Sequence, residues 1–433
     1  MKKTNLIVCI VLVATMLLTA CGGGGGGGGA KVNLVYWSMW NKTEPSAVAL
    51  TTIIQKFEAK YPNVTITAVW NGRENQTKVR TALGANTTID IVDQDGDQIA
   101  GGLMQEGLLL PLDDMYNSTA LDESTTFKDV FNPGVVDFYM KDGKHYLMPM
   151  DAAPVMFWYN KDAFTKAGIA QVPATWDEFL TDLQKLKDAG YVPLAIEGDG
   201  GDYNGWYIEY IVERLKGPGF LIKSLEDKTG DSWKDPVYTQ AFTMVKELWD
   251  KGFIPPESKG YQWPAAQQTL AQGKAAMELC GGWLPTELAP ITGPNFNWGG
   301  FNFPAISGGA GKVTDLYEWL GTMAILKGTK HPQEAMEFLK FVMTKESEAT
   351  YSAQLRGNTR KGVAWPQAMA DGYTSASNAT AVWGDFEGGE VLYADLLTTI
   401  IKPPIYDTFL GNKPIDHFAD TESAAAKNYW ATH

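Results

Sequence analysis

The chain has 433 residues, of which 45% are hydrophobic and 20% are charged, as in a globular protein of two or three domains. Fifty acidic residues against 36 basic ones give a formal net charge of −14, which disfavours nucleic acid and anionic membrane surfaces as partners. The 15 tryptophans and 18 tyrosines are more than such a chain needs for its core, and several stand beside glycine, asparagine or aspartate in predicted loops.

The first 20 residues have the pattern of an export signal. Lys2 and Lys3 precede an apolar run that ends at Leu18, and this run is shorter than the roughly 20 residues of a membrane-spanning helix. The closing tetrapeptide Leu18 to Cys21 resembles the bacterial lipobox, in which the cysteine is lipidated and becomes the mature N-terminus. We expect residues 1–20 to be a lipoprotein signal peptide. The alternative is an ordinary secretory peptide with a chance cysteine.

A run of eight glycines follows Cys21, and residues 21–30 are therefore predicted to be a flexible tether. A phosphate-binding loop is rejected, because no strand precedes the glycines and Lys31 is followed by valine. Cys9 is removed with the signal and Cys21 is expected to carry lipid, so Cys280 has no disulfide partner and is expected to be a buried apolar residue. The four histidines have no ligand spacing, and neither a metal site nor a cofactor is expected.

The next 70 residues alternate between strand and helix patterns. Strands are predicted at 32–36, 64–69 and 89–92, and helices between them at 48–57 and 76–83. This order predicts a parallel sheet covered by helices, with ligand sites beyond the carboxyl ends of its strands. The loops 37–42 and 93–97 fall at such ends. The alternating aspartates at 93, 95 and 97 resemble a calcium loop, but Gln98 and Met104 replace the glycine and glutamate that the pattern requires.

A second α/β region begins near residue 148. Strands are predicted at 155–159 and 192–196. Between them a helix is predicted, which is capped by Thr175 and has acidic residues in its first turn. Residues 198–205 are predicted to be a glycine-rich loop leading to Trp206. A further strand ends at Gly281-Gly282-Trp283, and 332–343 has the pattern of an amphipathic helix.

Three motifs carry a family resemblance: Tyr159-Asn160-Lys161-Asp162-Ala163-Phe164, the segment from Pro173 to Phe179, and Gly273-Lys274-Ala275-Ala276-Met277 followed by Gly282-Trp283. In this order they resemble the extracellular solute-binding proteins of ABC importers, the group that includes maltose-binding protein, over nearly all of the mature chain. The resemblance implies an α/β, two-lobed periplasmic-binding-protein-like fold. Each lobe is expected to be a mostly parallel sheet flanked by helices, with residues 31–149 and 320–348 in lobe 1, residues 150–319 and 349–433 in lobe 2, and a hinge between them.

The resemblance also implies a ligand cleft, and matching positions in order gives ten candidate residues. A sugar has an apolar face that indole rings can cover and hydroxyl groups that carboxylates and amides can bind. Trp283 matches the stacking aromatic residue of the family most directly, and which aspartate of the 93–97 loop faces ligand is left open. The candidates are Trp40, Asn41, Asp95, Asp97, Tyr203, Trp206, Trp283, Glu318, Trp319 and Arg360.

The implied function is that of a monomeric, lipid-anchored binding component on the extracellular face of a bacterial cell membrane. It would bind a carbohydrate, deliver it to the membrane subunits of an ABC permease by hinge closure, and catalyse no reaction. Two alternatives stay open. An exported glycoside hydrolase would also be acidic and aromatic, but needs two facing carboxyl groups with different pKa values. A cell-surface adhesion module would more often show repeats, and none is visible.

Overall fold

A computed structural model describes residues 31–354 and 356–433. The predicted signal peptide, the lipidation site Cys21 and the glycine tether lie outside these residues. Among the described helices, none combines the length and apolar character needed to cross a membrane.

Twelve strands are present in the described part of the chain. They are β1 (Val32–Ser38), β2 (Val64–Trp70), β3 (Ile91–Asp95), β4 (Met140–Lys141), β5 (Lys144–His145), β6 (Leu147–Pro154), β7 (Met156–Asn160), β8 (Val192–Leu194), β9 (Ala275–Cys280), β10 (Trp298–Phe301), β11 (Asp315–Ile325) and β12 (Ala381–Trp383).

The same residues form eighteen α-helical segments, with short 3₁₀ and π turns between some of them. They are α1 (Pro45–Lys60), α2 (Asn75–Gly84), α3 (Gly96–Ile99), α4 (Asp113–Asn117), α5 (Lys161–Lys166), α6 (Trp176–Asp188), α7 (Gly201–Lys216), α8 (Phe220–Glu226), α9 (Pro236–Asp250), α10 (Ala265–Ala271), α11 (Leu284–Thr292), α12 (Pro332–Val342), α13 (Lys345–Ser352), α14 (Ala370–Ser377), α15 (Gly389–Leu392), α16 (Ala394–Leu396), α17 (Lys402–Phe409) and α18 (Phe418–Thr432).

The first sheet has the order β12-β11-β3-β1-β2, with β6 also paired to β11, and its strands β1, β2 and β3 lie in the first lobe. β1 pairs in parallel with β2 and β3, as the strand and helix pattern predicts. Leu34 and Tyr36 on β1 are fully buried against α1 and α12. Because β1 and β3 run side by side, their carboxyl ends bring Trp40 and Asp95 to one edge of the sheet.

The second sheet has the order β10-β7-β9-β8 and forms the second lobe. β8 pairs in parallel with β9, but β7 is antiparallel to both β9 and β10. The α/β two-lobed fold is confirmed, while the sheets are mixed rather than mostly parallel. The threonine cap predicted at Thr175 is present, and it is part of a capping box: the Thr175 side chain accepts from Glu178 N, and the Glu178 carboxylate accepts from Thr175 N.

Two long strands connect the lobes. β6 and β11 pair from Leu147 and Ala324 at one end to Pro154 and Glu318 at the other, and every residue of β6 is buried. The hydroxyl of Tyr210 on α7 then accepts from Tyr317 N at 3.0 Å and donates to Val155 O at 2.5 Å. These bonds fix the second lobe to the strand pair, which forms the floor of the cleft between the lobes.

Candidate functional site

An aromatic wall on the second-lobe side of the cleft consists of Tyr203, Trp206, Trp283 and Trp319. Tyr203 stacks on Trp206 with ring centroids 4.8 Å apart, and its hydroxyl accepts a hydrogen bond of 3.2 Å from Trp283 Nε1. Trp319, on the hinge strand β11, meets Trp283 edge to face at 5.9 Å. Trp206 is buried, whereas the other three side chains stay partly accessible. Four residues predicted separately therefore form one continuous surface.

The placement of Trp283 depends on the two glycines before it. A Cβ on Gly281 would lie 2.2 Å from the Trp283 indole, so the ring folds back over a position that only glycine can occupy. A Cβ on Gly282 would lie 3.2 Å from Ala153 Cα of β6, which shows how closely this turn approaches the hinge. Trp283 then begins α11 as its N-cap residue.

Tyr203 and Trp206 lie on a helix rather than in the predicted loop. α7 begins at Gly201, and the glycines before it form the turn that leads into the helix. Since residues three apart share a helix face, the two rings stack on each other at the start of α7. The predicted loop is therefore wrong at these residues, and their contact with a ligand stays a prediction.

A charged wall on the first-lobe side consists of Arg73, Asp95, Asp151 and Arg356, arranged around Trp40. The guanidinium carbons of Arg73 and Arg356 lie 4.8 and 4.9 Å from the Trp40 ring centroid, and the ring itself is only 6% exposed. Such cation–π contacts hold both arginines in place. The guanidinium groups of Arg73 and Arg356 therefore cover the indole ring of Trp40, which has no open face toward the cleft.

The two arginines differ in their partners. Arg356 pairs with Asp151 of β6, whose side chain is buried, while the Arg356 side chain is 11% exposed. Tyr351 adds a hydrogen bond of 3.1 Å to the same carboxylate. Arg73 instead donates to Met39 O at 3.0 Å and pairs with Glu44 at 2.9 Å, with more than half of its side chain exposed.

Asp95 extends the charged wall at the end of β3. Burial raises its pKa to about 6, against the opposing charges of Arg73 and Arg356. Gln98 Nε2 donates to it at 2.9 Å. Its neighbour Asp93 instead holds the loop after β1, accepting from Ser38 Oγ at 2.8 Å and Met39 N at 2.6 Å. Between these two, Asp95 is the carboxylate that remains partly accessible.

Two further carboxyl groups lie along the cleft. Glu318 on β11 is buried, and burial raises its pKa to about 8, so at pH 7 it is mostly protonated and can donate a hydrogen bond. Glu287, in the first turn of α11, is accessible, yet its surroundings raise its pKa to about 7 against the charges of Arg356 and Arg73. These electrostatic interactions show that α11 of the second lobe faces the charged wall of the first.

Asp97 lies beyond Asp95, at the other end of this row of carboxyl groups. Its carboxyl group shares a hydrogen bond with that of Glu390, and burial raises the two pKa values to about 6 and about 7. Glu390 also hydrogen-bonds with Asp385, which forms an ion pair with Lys402. Asp97 thus contacts another carboxyl group directly, unlike Asp95.

Two predicted residues have other partners. Arg360 is 1% exposed and is held by Asp122, Glu123 and Met343 O, and no described contact links it to either wall. Asn41 is exposed at the rim, where Nδ2 donates to Glu44 at 2.5 Å. The arginine that does reach the cleft is Arg356, four residues before Arg360. Sequence reasoning missed it, together with Arg73, Asp151, Glu287 and Glu390.

This arrangement can bind a flat ligand that carries many hydroxyl groups. The partly accessible rings of the aromatic wall supply apolar faces, and the opposite wall supplies carboxylate acceptors and guanidinium donors. Among the described residues, no group of three or more histidine, cysteine or acidic side chains is arranged to hold a metal ion. Cys280 is buried on β9, as predicted.

Two α/β lobes joined by a strand pair, with a polar and aromatic cleft between them, define the class of two-lobed solute-binding proteins. The comparison with protein families agrees: residues 41–349 match the bacterial extracellular solute-binding proteins, and the chain belongs to this family. The resemblance drawn from the motifs is thereby confirmed.

Individual relatives include binding components of ABC transporters. An ABC transporter extracellular-binding protein of Pyrococcus horikoshii is 24% identical over 75% of this chain and 71% of its own length. The diacetylchitobiose binding protein DasA of Streptomyces coelicolor is 26% identical over 64% of this chain and 61% of its own. In fold, the apo form of RafE from Streptococcus pneumoniae superposes with a TM-score of 0.75 at 18% identity, covering 92% of this chain and 98% of the other.

Proposed function

We propose that this protein is the carbohydrate-binding component of an ABC importer, and that it captures an oligosaccharide between the aromatic and charged walls. The observation that carries the proposal is the ring cluster of Tyr203, Trp206 and Trp283, in which Tyr203 stacks on Trp206, together with the partly accessible carboxylate of Asp95. The sugar-binding relatives support the same ligand class. Closure of the lobes about β6 and β11 would present the loaded protein to its permease.

The charges of the cleft favour an uncharged sugar. Arg356 is neutralised by Asp151 and Arg73 by Glu44, so neither arginine has a free positive charge for a ligand. Asp95, Glu287 and Glu318 form no ion pair within the described part of the chain, and Asp95 is the one of the three that is mostly ionised at pH 7. A uronate or sugar phosphate would bring a negative charge beside the Asp95 carboxylate, which costs free energy in a partly desolvated cleft.

The alternative of a glycoside hydrolase finds less support in this geometry. Such an enzyme needs one ionised and one protonated carboxyl group across the scissile bond. Asp95 and Glu318, with pKa values of about 6 and about 8, would meet this protonation requirement at pH 7, but Glu318 is buried and no described contact brings the two carboxyl groups to a common point. We therefore propose binding without turnover.

The lipid anchor is part of the same proposal and rests on Leu18 to Cys21. Attachment at Cys21 would keep the protein at the extracellular face of the membrane, close to its permease. Changing Cys21→Ser should release the protein or leave it unprocessed. Mass spectrometry of the N-terminus from cells tests this directly, and an unlipidated wild-type N-terminus would remove the anchor from the proposal.

A thermal-shift panel tests the ligand class. A ligand that binds only the native state raises stability by RT ln(1 + [L]/Kd), so a matching sugar at 100 times its Kd adds about 2.7 kcal/mol. We expect uncharged oligosaccharides to raise the melting temperature and uronate oligosaccharides of equal length to leave it unchanged. A shift with uronates alone would contradict the charge argument, and no shift with any carbohydrate would contradict the proposed function.

A further inference from the structure

A contact between the lobes lies at one end of the cleft, away from the aromatic wall. The backbone of Glu390 and Val391 in α15 packs against Gly101, in the π turn that follows α3, and a Cβ on Gly101 would lie 3.5 Å from both carbonyl oxygens. The Asp97 and Glu390 carboxyl groups meet at the same contact. Asp97 follows directly after β3 and so moves with the first lobe.

The partner segment is fixed to the second lobe. Glu387 accepts from Gly219 N and from Ile222 N, the latter at 3.1 Å, and Phe386 N donates to Glu209 at 2.9 Å. Phe386 and Glu387 have φ values of 46° and 55°, in the left-handed region that residues with a side chain rarely adopt. Strain of this kind is kept where a segment is held in one position for a purpose. Glu390 is thus presented to the first lobe from a fixed turn.

The groups around this contact are mostly acidic. From the first lobe, Asp95 and the Tyr139 hydroxyl face it; from the second, Asp385, Lys402 and the Tyr317 hydroxyl. Lys402 is the one cation among these, and its ammonium group is already paired with Asp385 and Asp202. The helices that pack on α15 also carry three charged residues, Lys223, Glu226 and Asp395. Of these, Glu226 is in contact with the Tyr393 hydroxyl.

We propose that Asp97 and Glu390 form a proton-operated latch, which holds the two lobes together when one of the carboxyl groups is protonated and releases them when both are ionised. Two carboxyl groups can share a hydrogen bond only while one of them carries a proton. When both are charged they repel each other, and the Lys402 ammonium group is already bound to other carboxylates. The latch goes beyond sugar binding, because it sets how readily the lobes close before any ligand arrives.

The direction of the pH effect follows from proton linkage. Burial at the contact with Asp97 raises the pKa of Glu390 to about 7 from its ordinary value of 4.5, so the latched state would bind a proton that the open state has released. Closure is therefore favoured at acidic pH and lost as the pH rises through about 7. With one proton involved, the ratio of closed to open molecules should change by up to about tenfold per pH unit within this window.

Small-angle X-ray scattering of the ligand-free protein tests the latch without any sugar. We expect the radius of gyration to be smaller at pH 5 than at pH 8, with a midpoint between pH 5 and 7. The Glu390→Gln variant should stay compact at both pH values, because its amide can donate to the Asp97 carboxylate without a proton from solvent. Asp395→Asn, which removes an exposed acid five residues further on, should respond like the wild type.

A wild-type radius of gyration that is the same at pH 5 and pH 8 would overturn the proposal, as would a Glu390→Gln variant with the full wild-type response. Glu390→Asp gives a second variant, in which the shorter side chain should leave the lobes open at both pH values. Melting curves test whether each variant is folded. If a variant is not folded, the wild-type scattering at the two pH values still decides the question. Failure of the latch would leave the sugar proposal intact, because its thermal-shift panel is read at a single pH.

Discussion

The aromatic wall and the charged wall face the same cleft but are held in place by different forces. In the aromatic wall, rings touch at centroid distances of 4.8 to 6.4 Å, and one neutral hydrogen bond joins Trp283 to Tyr203. In the charged wall, the ion pair of Arg356 and Asp151 connects the chain after α13 to the hinge strand β6. The comparison indicates that the charged wall contributes to the stability of the fold, while the aromatic wall is free to serve the ligand.

The largest expected effect is on stability, in the charged wall. Arg356→Ala leaves Asp151 buried with no cation, and breaking a buried pair in this way commonly costs about 3–5 kcal/mol in free energy of unfolding. Chemical denaturation measures the loss. Arg73→Ala is the matched control over the same indole ring, and because its partner Glu44 is accessible it should cost about 1 kcal/mol or less. Equal losses in both variants would remove the distinction between the two arginines.

The next effect is on affinity, in the aromatic wall. Removing a buried stacking ring commonly costs 2 kcal/mol or more in binding, so Trp283→Ala should weaken sugar binding about thirtyfold or more by calorimetric titration. Trp430→Ala, on the C-terminal helix α18, controls for the loss of a tryptophan elsewhere. Near-native affinity in a folded Trp283→Ala protein would take this residue out of the site, and a large drop in melting temperature instead would assign it to the core.

A smaller effect is expected at the floor of the cleft, where the two walls meet. Glu318 has a folded-state pKa of about 8, above its unfolded value, so it stabilises the fold most at acidic pH and this contribution is lost as the pH rises from about 4.5 through 8. Glu318→Gln removes the dependence. As the pH rises from 5 to 8, the free energy of unfolding of the variant should therefore increase by roughly 1–3 kcal/mol relative to that of the wild type. The same pH dependence of the unfolding free energy in the two proteins would contradict the burial of this carboxyl group.

The smallest effect is expected at the rim. The Asn41 side chain donates to Glu44 and is exposed, so Asn41→Ala should change sugar affinity by less than about threefold. Calorimetric titration beside Trp283→Ala provides the scale. A loss as large as that of Trp283 would show that Asn41 turns into the cleft when sugar binds, and would extend the charged wall to the rim.

The same contrast explains what could be predicted from sequence. Gly281-Gly282-Trp283 is a local signal, because the indole needs the space that the glycines leave, and the strand predicted to end at this point does end at Cys280. The strand and helix order of residues 32–95 and the threonine cap at Thr175 are local in the same way. Tyr203 and Trp206 are expected in or beside a loop because residues 198–205 are rich in glycine, yet α7 begins at Gly201 and includes Gly205.

The rest depends on contacts between distant parts of the chain. Arg356 reaches Asp151 across 205 residues, and nothing in its neighbourhood distinguishes it from Arg360, which points into the first-lobe core instead. Glu287 and Glu390 were missed for the same reason, since each matters through a partner on the opposite lobe. The role proposed for Asp97 also differs from the sugar contact predicted from sequence, because Glu390 lies beside it.

The most direct test of carbohydrate binding without turnover is a calorimetric titration of the purified protein with the sugar that gives the largest thermal shift, followed by recovery of that sugar. We predict saturable binding of one sugar per protein, lost with Trp283→Ala, and an oligosaccharide recovered at its original length. Shortened products, or binding that is unchanged in the folded Trp283→Ala variant, would contradict the account.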